Sequence, residues 1–146
     1  MGETRQDDME ALLQLKPRYA RTGDMRQWDV HLDCLTEDYV GVFDGMPRTS
    51  PDHPTTGRFE GRKSIVEAMA KFLDGVVTVH QVYAPEITIT GKDTAKGIWG
   101  IHDHLRFPTC IFDGWGHYHE DYVKQDGVWR IKNLVVTRLY VQEVWL

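Results

Sequence analysis

Cysteine is scarce in this sequence. Cys34 and Cys110 are too few and too far apart for a disulfide framework or a zinc module, and a reducing cytoplasm is the compartment expected. No apolar run approaches the ~20 residues of a membrane span. Basic charge is also lacking: the formal net charge is −5, so neither a nucleic-acid backbone nor an anionic membrane is an expected partner. Residues 1–14 hold no basic segment leading into an apolar stretch, and Gln6 breaks the lipidation pattern that Met1-Gly2 begins. A G-x-S-x-G elbow, a phosphate loop and a dinucleotide fingerprint are missing too. Nucleophilic hydrolysis, nucleotide hydrolysis and hydride transfer therefore have no residues to stand on.

What is present reads as one domain, residues 1–146, with 41% hydrophobic and 27% charged residues and enough length for a sizeable core. Its most informative stretch is residues 94–107, TAKGIWGIHDHLRF, which has no proline. At the two-residue period of a strand, Trp99, Ile101, Asp103, Leu105 and Phe107 share one face, and Ile98, His102, His104 and Arg106 the other. The apolar face carries a carboxylate in its middle. Desolvating an ionised Asp costs several kcal/mol unless a cation or hydrogen-bond donors meet it, so Asp103 calls for a partner from elsewhere in the chain.

Around that strand the pattern is helices first and long strands after. Met9, Leu12, Leu13, Tyr19 and Ala20 recur at helical spacing over residues 7–22, with Pro17 expected to bend the helix or restart it and Gly23 to end it. Asp24-Met25-Arg26-Gln27 has the form of a capping box opening a second helix, with Trp28, Leu32 and Leu35 on its buried stripe. A short strand follows at 39–43. Residues 44–57 form a long proline-rich loop of the kind that serves as a lid or rim. Helical periodicity resumes over 61–74, and strands are expected at 76–83, 86–90, 94–107, 115–124 and 128–141, with turns at 91–93 and 125–127. The order predicts an α+β domain whose antiparallel sheet curls around the helices or packs on them.

Few groups in this frame offer chemistry. His80 lies in a strand with valines at both parities, where an imidazole with a pKa near ~6.5 is poised for proton transfer if a carboxylate fixes its tautomer. Asp103 is the candidate carboxylate; the alternative is a core histidine tied to a backbone carbonyl. Tyr19 fits a core aromatic, Asp24 a helix cap, and Arg138 a solvated residue of the last strand. A second constellation competes. If Phe107 faces Gly114 in a hairpin, His102 lies opposite His119 and His104 opposite His117, a set able to bind Zn²⁺ or Fe²⁺; a one-residue slip dissolves it.

Several segments together resemble a known family. They are Arg18-Tyr19-Ala20-Arg21 with Asp24 and Trp28, Leu35-Thr36-Glu37-Asp38, Phe59-Glu60-Gly61-Arg62, His80-Gln81, residues 93–99, and Gly127-Val128-Trp129-Arg130-Ile131. The chain resembles the nuclear transport factor 2-like superfamily, in the SnoaL-like branch of polyketide cyclases and dehydratases, and most of all the bile acid 7α-dehydratase and scytalone dehydratase group. The resemblance implies a cone-shaped barrel, a strongly bent antiparallel sheet wrapped around three helices with a deep apolar pocket. It implies His80 as the catalytic histidine, Asp103 as its paired carboxylate, and roles for Tyr19, Asp24 and Arg138, the last requiring a bulge to bring it to the inner face. It requires no metal and no organic cofactor.

The expected function is that of a cofactor-independent lyase acting by acid–base catalysis on a hydrophobic polycyclic or aromatic small molecule. Dehydration comes first, with release of formaldehyde from a lignin-type aryl dimer and ketosteroid-type isomerisation as alternatives using the same groups. Trp99, Leu105, Phe107, Tyr118 and Tyr122 are the expected pocket walls. A non-catalytic ligand-binding module is the rival from another class. A homo-oligomer, trimer or dimer, is expected from the resemblance and from the His, Arg and aromatic residues of the outer sheet face.

Overall fold

The structure, a computed structural model, describes residues 4–146. Helix α1 (Arg5–Asp24) opens with a capping box: the Asp7 backbone N–H donates to Thr4 Oγ1, and the Thr4 N–H to Asp7 Oδ2. The helix continues through Pro17 and Gly23, contrary to the expected break, and ends only at Asp24. Leu12, Leu15 and Tyr19 are buried on its inner side. Helix α2 (Trp28–Asp33) is short and has no side-chain cap from Gln27, so the capping box expected at Asp24 does not form. Leu35 belongs to a strand rather than to the buried stripe of that helix.

Strands β1 (Leu35–Phe43) and β2 (Gly57–Glu60) precede α3 (Arg62–Phe72), and β3 (Val77–Ile89), β4 (Thr94–Arg106), β5 (Cys110–Gln125) and β6 (Val128–Trp145) follow. They form one sheet in the order β2-β1-β6-β5-β4-β3. The expected α+β class holds, with two differences. The curled sheet does not close, since β2 and β3 are free edges, so the cone is not a complete barrel. One pairing is also parallel, β1 on β6. A parallel neighbour needs a long connection, and the five elements between β1 and β6 provide it.

Alternation in β4 follows the sequence pattern: Ala95, Trp99, Ile101, Asp103 and Leu105 are buried, while His102 and His104 lie on the outer face. In β6 simple alternation fails. Ile131 pairs with Tyr122 and Asn133 with Asp121, leaving Lys132 as the extra residue of a bulge; a second register shift makes Leu139 extra. The first bulge inverts parity, so that Ile131, Leu134, Val136 and Arg138 all reach the inner side. Pro85, which cannot donate to a ladder, sits in the irregularity between Tyr83 and Glu86 on edge strand β3. That irregularity joins the two strands expected at 76–83 and 86–90 into one. Asp126 and Gly127, both at positive φ, make the tight β5–β6 turn. No helix among the described residues is long and apolar enough to cross a membrane.

Candidate active site

A cavity of about 370 Å³ opens between the concave sheet face, α3 and the loop joining β1 to β2. Phe43, Phe59, Met69, Leu73, Leu105 and Val136 give it apolar walls, and Tyr19, His80, Asp103, Tyr118 and Arg138 supply polar groups. The loop expected as a lid or rim contributes Met46, Pro47, Arg48, His53 and Pro54. Arg48 ties it to β6 through two 2.9 Å hydrogen bonds to Glu143. Of the five expected wall residues, Leu105 and Tyr118 line the cavity. The other three are core: Phe107 packs with Leu73, Val76 and Phe112, while Trp99 Nε1 donates to the Tyr122 hydroxyl 3.1 Å away.

His80 and Asp103 are direct cross-strand partners on β3 and β4. Their contact differs from the expected hydrogen bond, because His80 Nε2 and Asp103 Oδ1 stand 3.8 Å apart. The carboxylate that holds the imidazole is Asp24. His80 Nδ1 lies 2.6 Å from Asp24 Oδ1, and the His80 backbone N–H donates to Asp24 Oδ2 at 2.9 Å. A carboxylate only accepts, so Nδ1 carries a proton, and in the neutral ring Nε2 then holds the lone pair on the side of Asp103. Asp24 thus spends its side chain on β3 instead of on the start of α2.

Two residues that sequence pattern did not single out complete this mount. Thr78 Oγ1 donates to Asp24 Oδ1 at 2.9 Å, and Arg26 donates to Thr78 Oγ1 at 2.8 Å. Arg26 also donates to the carbonyls of Gly23, Asp24, Leu73 and Val76, tying the end of α1 to the start of β3. The available signal was the two-residue spacing of Thr78 and His80, which puts both on one strand face. Arg26 carried no signal beyond its position after Asp24.

Asp103 finds its cation in Arg138, whose Nη2 donates to Asp103 Oδ2 at 2.8 Å; both side chains are over nine-tenths buried. Gly114 makes this possible. A Cβ there would stand 2.8 Å from Arg138 Cζ and Nη1, so only glycine leaves room for the guanidinium. Asp103 Oδ1, Arg138 Nε and Arg138 Nη1 remain buried without hydrogen-bond partners. Orphaned buried polar atoms are expensive in a structural core and are expected where a ligand completes them.

Burial disfavours the charged form of His80, but Asp103 beside it and the hydrogen bond and charge of Asp24 outweigh burial and raise its pKa above the ordinary value. Proton capture is favoured for the same reason: with a neutral imidazole the set Asp24, Asp103 and Arg138 sums to −1, and the imidazolium brings it to zero. Tyr19 and Tyr118 have pKa values pushed well upward by burial, so both hydroxyls stay protonated and able to donate. Behind Tyr19 lies His31, its ring centroid 4.4 Å from the tyrosine ring and its Nδ1 2.9 Å from the Tyr19 carbonyl. Burial lowers the His31 pKa to about 4, which keeps it neutral.

The four-histidine cluster does not form. His102 faces Trp115 and His104 faces Asp113 across β4–β5, while His117 faces Gly100 and His119 faces Ile98, a register four residues from the one a cluster needs. Among the described residues no group of three or more His, Cys, Asp or Glu is placed to hold a metal ion.

Fold and site together define an α+β cone with a histidine held between two aspartates at the edge of an apolar cavity. The chain belongs to the SnoaL-like domain family, of the nuclear transport factor 2-like superfamily, which matches residues 4–135. Among solved structures it is similar to Rv3472, a protein of unknown function from Mycobacterium tuberculosis, at 23% identity and a TM-score of 0.73, over 90% of this chain and 71% of that one. It is similar to a Novosphingobium aromaticivorans protein provisionally named a scytalone dehydratase, at 16% identity and a TM-score of 0.76, over 95% and 89% of the two chains. A type-3 hexachlorocyclohexane dehydrochlorinase LinA from Novosphingobium barchaimii gives 16% identity and a TM-score of 0.78, over 96% and 92%. At such identities what is shared is the fold.

Proposed function

We propose that this protein is a cofactor-independent lyase that eliminates water from a hydrophobic polycyclic or aromatic small molecule, with His80 as base. The observation that carries this is the set of unsatisfied groups around one imidazole: a free Nε2, Asp103 Oδ1 3.8 Å from it, and two unpaired Arg138 donors, all at an apolar cavity. Nε2 takes a proton from a carbon made acidic by a neighbouring carbonyl or π-system, and the new N–H is then able to turn to Asp103 Oδ1. The electron pair left on carbon forms the C=C bond as the C–O bond of the β-hydroxyl breaks. The imidazolium returns its proton to the departing oxygen, so that water leaves and neutral His80 is restored. Tyr19 donates to the oxyanion that develops on the carbonyl, and the free Arg138 donors supplement it. Asp24 holds the ring and its tautomer throughout.

The test is mass spectrometry of products after offering wild-type and His80→Ala protein a panel of hydroxysteroid thioesters, hydroxylated polyketides and aryl dimers with hydroxymethyl side chains. A loss of water seen only with wild type supports elimination. Loss of formaldehyde reassigns the same groups to carbon–carbon cleavage. Tight binding without turnover, unchanged in His80→Ala, replaces the enzyme with a binding module. A homo-oligomer formed through the outer sheet face belongs to the same proposal; exposed Val79, Tyr83, Leu139 and Tyr140 support it, and light scattering reads it directly.

A further inference from the structure

Beneath the cavity floor lies an ion pair that the elimination does not use. Lys16 of α1 is fully buried, and its Nζ is 2.8 Å from Glu120 Oε2 of β5, also fully buried. Removing two such charges from water is costly, and well-packed apolar residues commonly serve stability as well or better, so stability alone is weak grounds for the pair.

The ammonium has further contacts. It stands 3.7 Å from the centroid of the Tyr19 ring and 3.3 Å from that of Tyr118. Those two rings meet edge to face, 6.2 Å apart and at 83°, and both line the cavity. The spacing builds the contact: Lys16 and Tyr19 are i,i+3 neighbours on one face of α1, and Tyr118 and Glu120 are i,i+2 neighbours on one face of β5. Glu120 is itself fixed, because its other oxygen accepts from the Tyr122 hydroxyl at 2.8 Å, which in turn accepts from Trp99 Nε1. Among the described residues neither the Tyr19 nor the Tyr118 hydroxyl has a hydrogen-bond partner, which leaves both free for a ligand. A cation against a phenol ring face draws density from the ring and makes its hydroxyl a stronger donor.

We propose that Lys16 is a positioning residue, whose buried ammonium, held by Glu120, clamps the Tyr19 and Tyr118 rings and strengthens their hydroxyls as paired donors to an oxygen of the bound molecule. The inference rests on the cavity being the substrate site and adds to it a second donor, Tyr118, and the charge behind both.

Two probes of nearly equal shape test it, naphthalene and 2-naphthol, with binding followed by fluorescence. Wild type should bind both, and 2-naphthol more tightly. Lys16→Met paired with Glu120→Gln removes both charges and keeps an acceptor for Tyr122. This variant should bind naphthalene within twofold of wild type and lose about five- to tenfold of the 2-naphthol preference. Glu120→Gln alone removes the charge that chiefly opposes the effect of burial on the Lys16 amine, so the ammonium should lose its proton and the preference should fall much as in the double variant. Loss of both probes in parallel, or a preference intact in the double variant, overturns the role given to Lys16. Should the double variant not fold, Tyr118→Phe carries the test: an unchanged 2-naphthol preference there overturns the paired-donor arrangement. If wild type binds neither probe, the cavity assignment fails, and the role of Lys16 falls with it. With a substrate in hand, the double variant should lower kcat/KM by at least the factor lost from the 2-naphthol preference.

Discussion

The two faces of β4 hold the same chemistry in different settings. On the inner face His80 lies between Asp24 and Asp103, and on the outer face His102 and His104 both reach Asp113 Oδ1 at 2.9 Å. Contact distances alone do not separate the two. Enclosure does: the inner set borders an apolar cavity and leaves a ring nitrogen, a carboxylate oxygen and two guanidinium donors without partners. On the outer face His102 bonds Asp113 through Nε2 and Gln81 through Nδ1 and stacks on Trp115 with ring centroids 4.6 Å apart. The inner set is singled out for the proposed acid–base chemistry by unmet hydrogen-bonding capacity in an apolar setting more than by the presence of a His–Asp contact.

The largest expected difference between the faces is in turnover. His80→Ala should lower kcat by about 10²–10⁴, the range for losing a general base, with a circular-dichroism spectrum like wild type. His102→Ala should change kcat less than about twofold; equal losses at the two positions would place the chemistry on the outer face. Next comes Asp103→Asn. It leaves Arg138 buried without its counter-charge, and breaking such a pair costs about 3–5 kcal/mol, readable as a lower urea midpoint. Gly114→Ala should destabilise by about 1–3 kcal/mol and impair turnover together, because its Cβ meets Arg138 at 2.8 Å.

The pH profiles should differ in sign. The proposed reaction needs neutral His80, whose pKa is raised, so kcat/KM should climb through an apparent pKa above ~6.5. Asp24→Asn removes a hydrogen bond and a charge that raise it, and should move that limb to lower pH while lowering the plateau. For stability the dependence is reversed. The His80 contribution is complete below ~6.5, where both folded and unfolded forms are protonated, and is lost as pH rises through the folded pKa.

Much of this contrast was legible in the sequence. Strict alternation over residues 94–107 put Asp103 inside and His102 and His104 outside, and family resemblance placed Tyr19, Asp24, His80 and Arg138. Local pattern misassigned Asp24, because Asp24-Met25-Arg26-Gln27 satisfies the spacing of a capping box while the carboxylate is claimed by residues 54 and 56 positions away. The side of the sheet reached by Arg138 depended on the bulge at Lys132, and register shifts have no local signature in a strand of alternating polar and apolar residues. The walls were overestimated for a related reason. Periodicity tells which face Trp99 and Tyr122 occupy, but not that the inner face is filled by packing at one end and left open at the other.

The smallest effect expected is on the outer face. Burial raises the pKa of Asp113, but hydrogen bonds from His102 and His104, with their charges, outweigh it and hold the carboxyl below its ordinary value. A depressed carboxylate contributes stability that is present above its unfolded pKa near 3.8 and is lost as pH falls through the lower folded value. Asp113→Asn should therefore cost little at neutral pH, under about 1 kcal/mol because all three side chains are partly exposed, and should make stability less steep with pH in the acid range. Thermal melts of wild type and Asp113→Asn between about pH 3 and 7 measure this. Convergence of the two curves toward the acid end is expected. A gap that widens there would mean that Asp113 is held by something other than the two imidazoles, and the contrast between the faces of β4 would need a different account of its outer side.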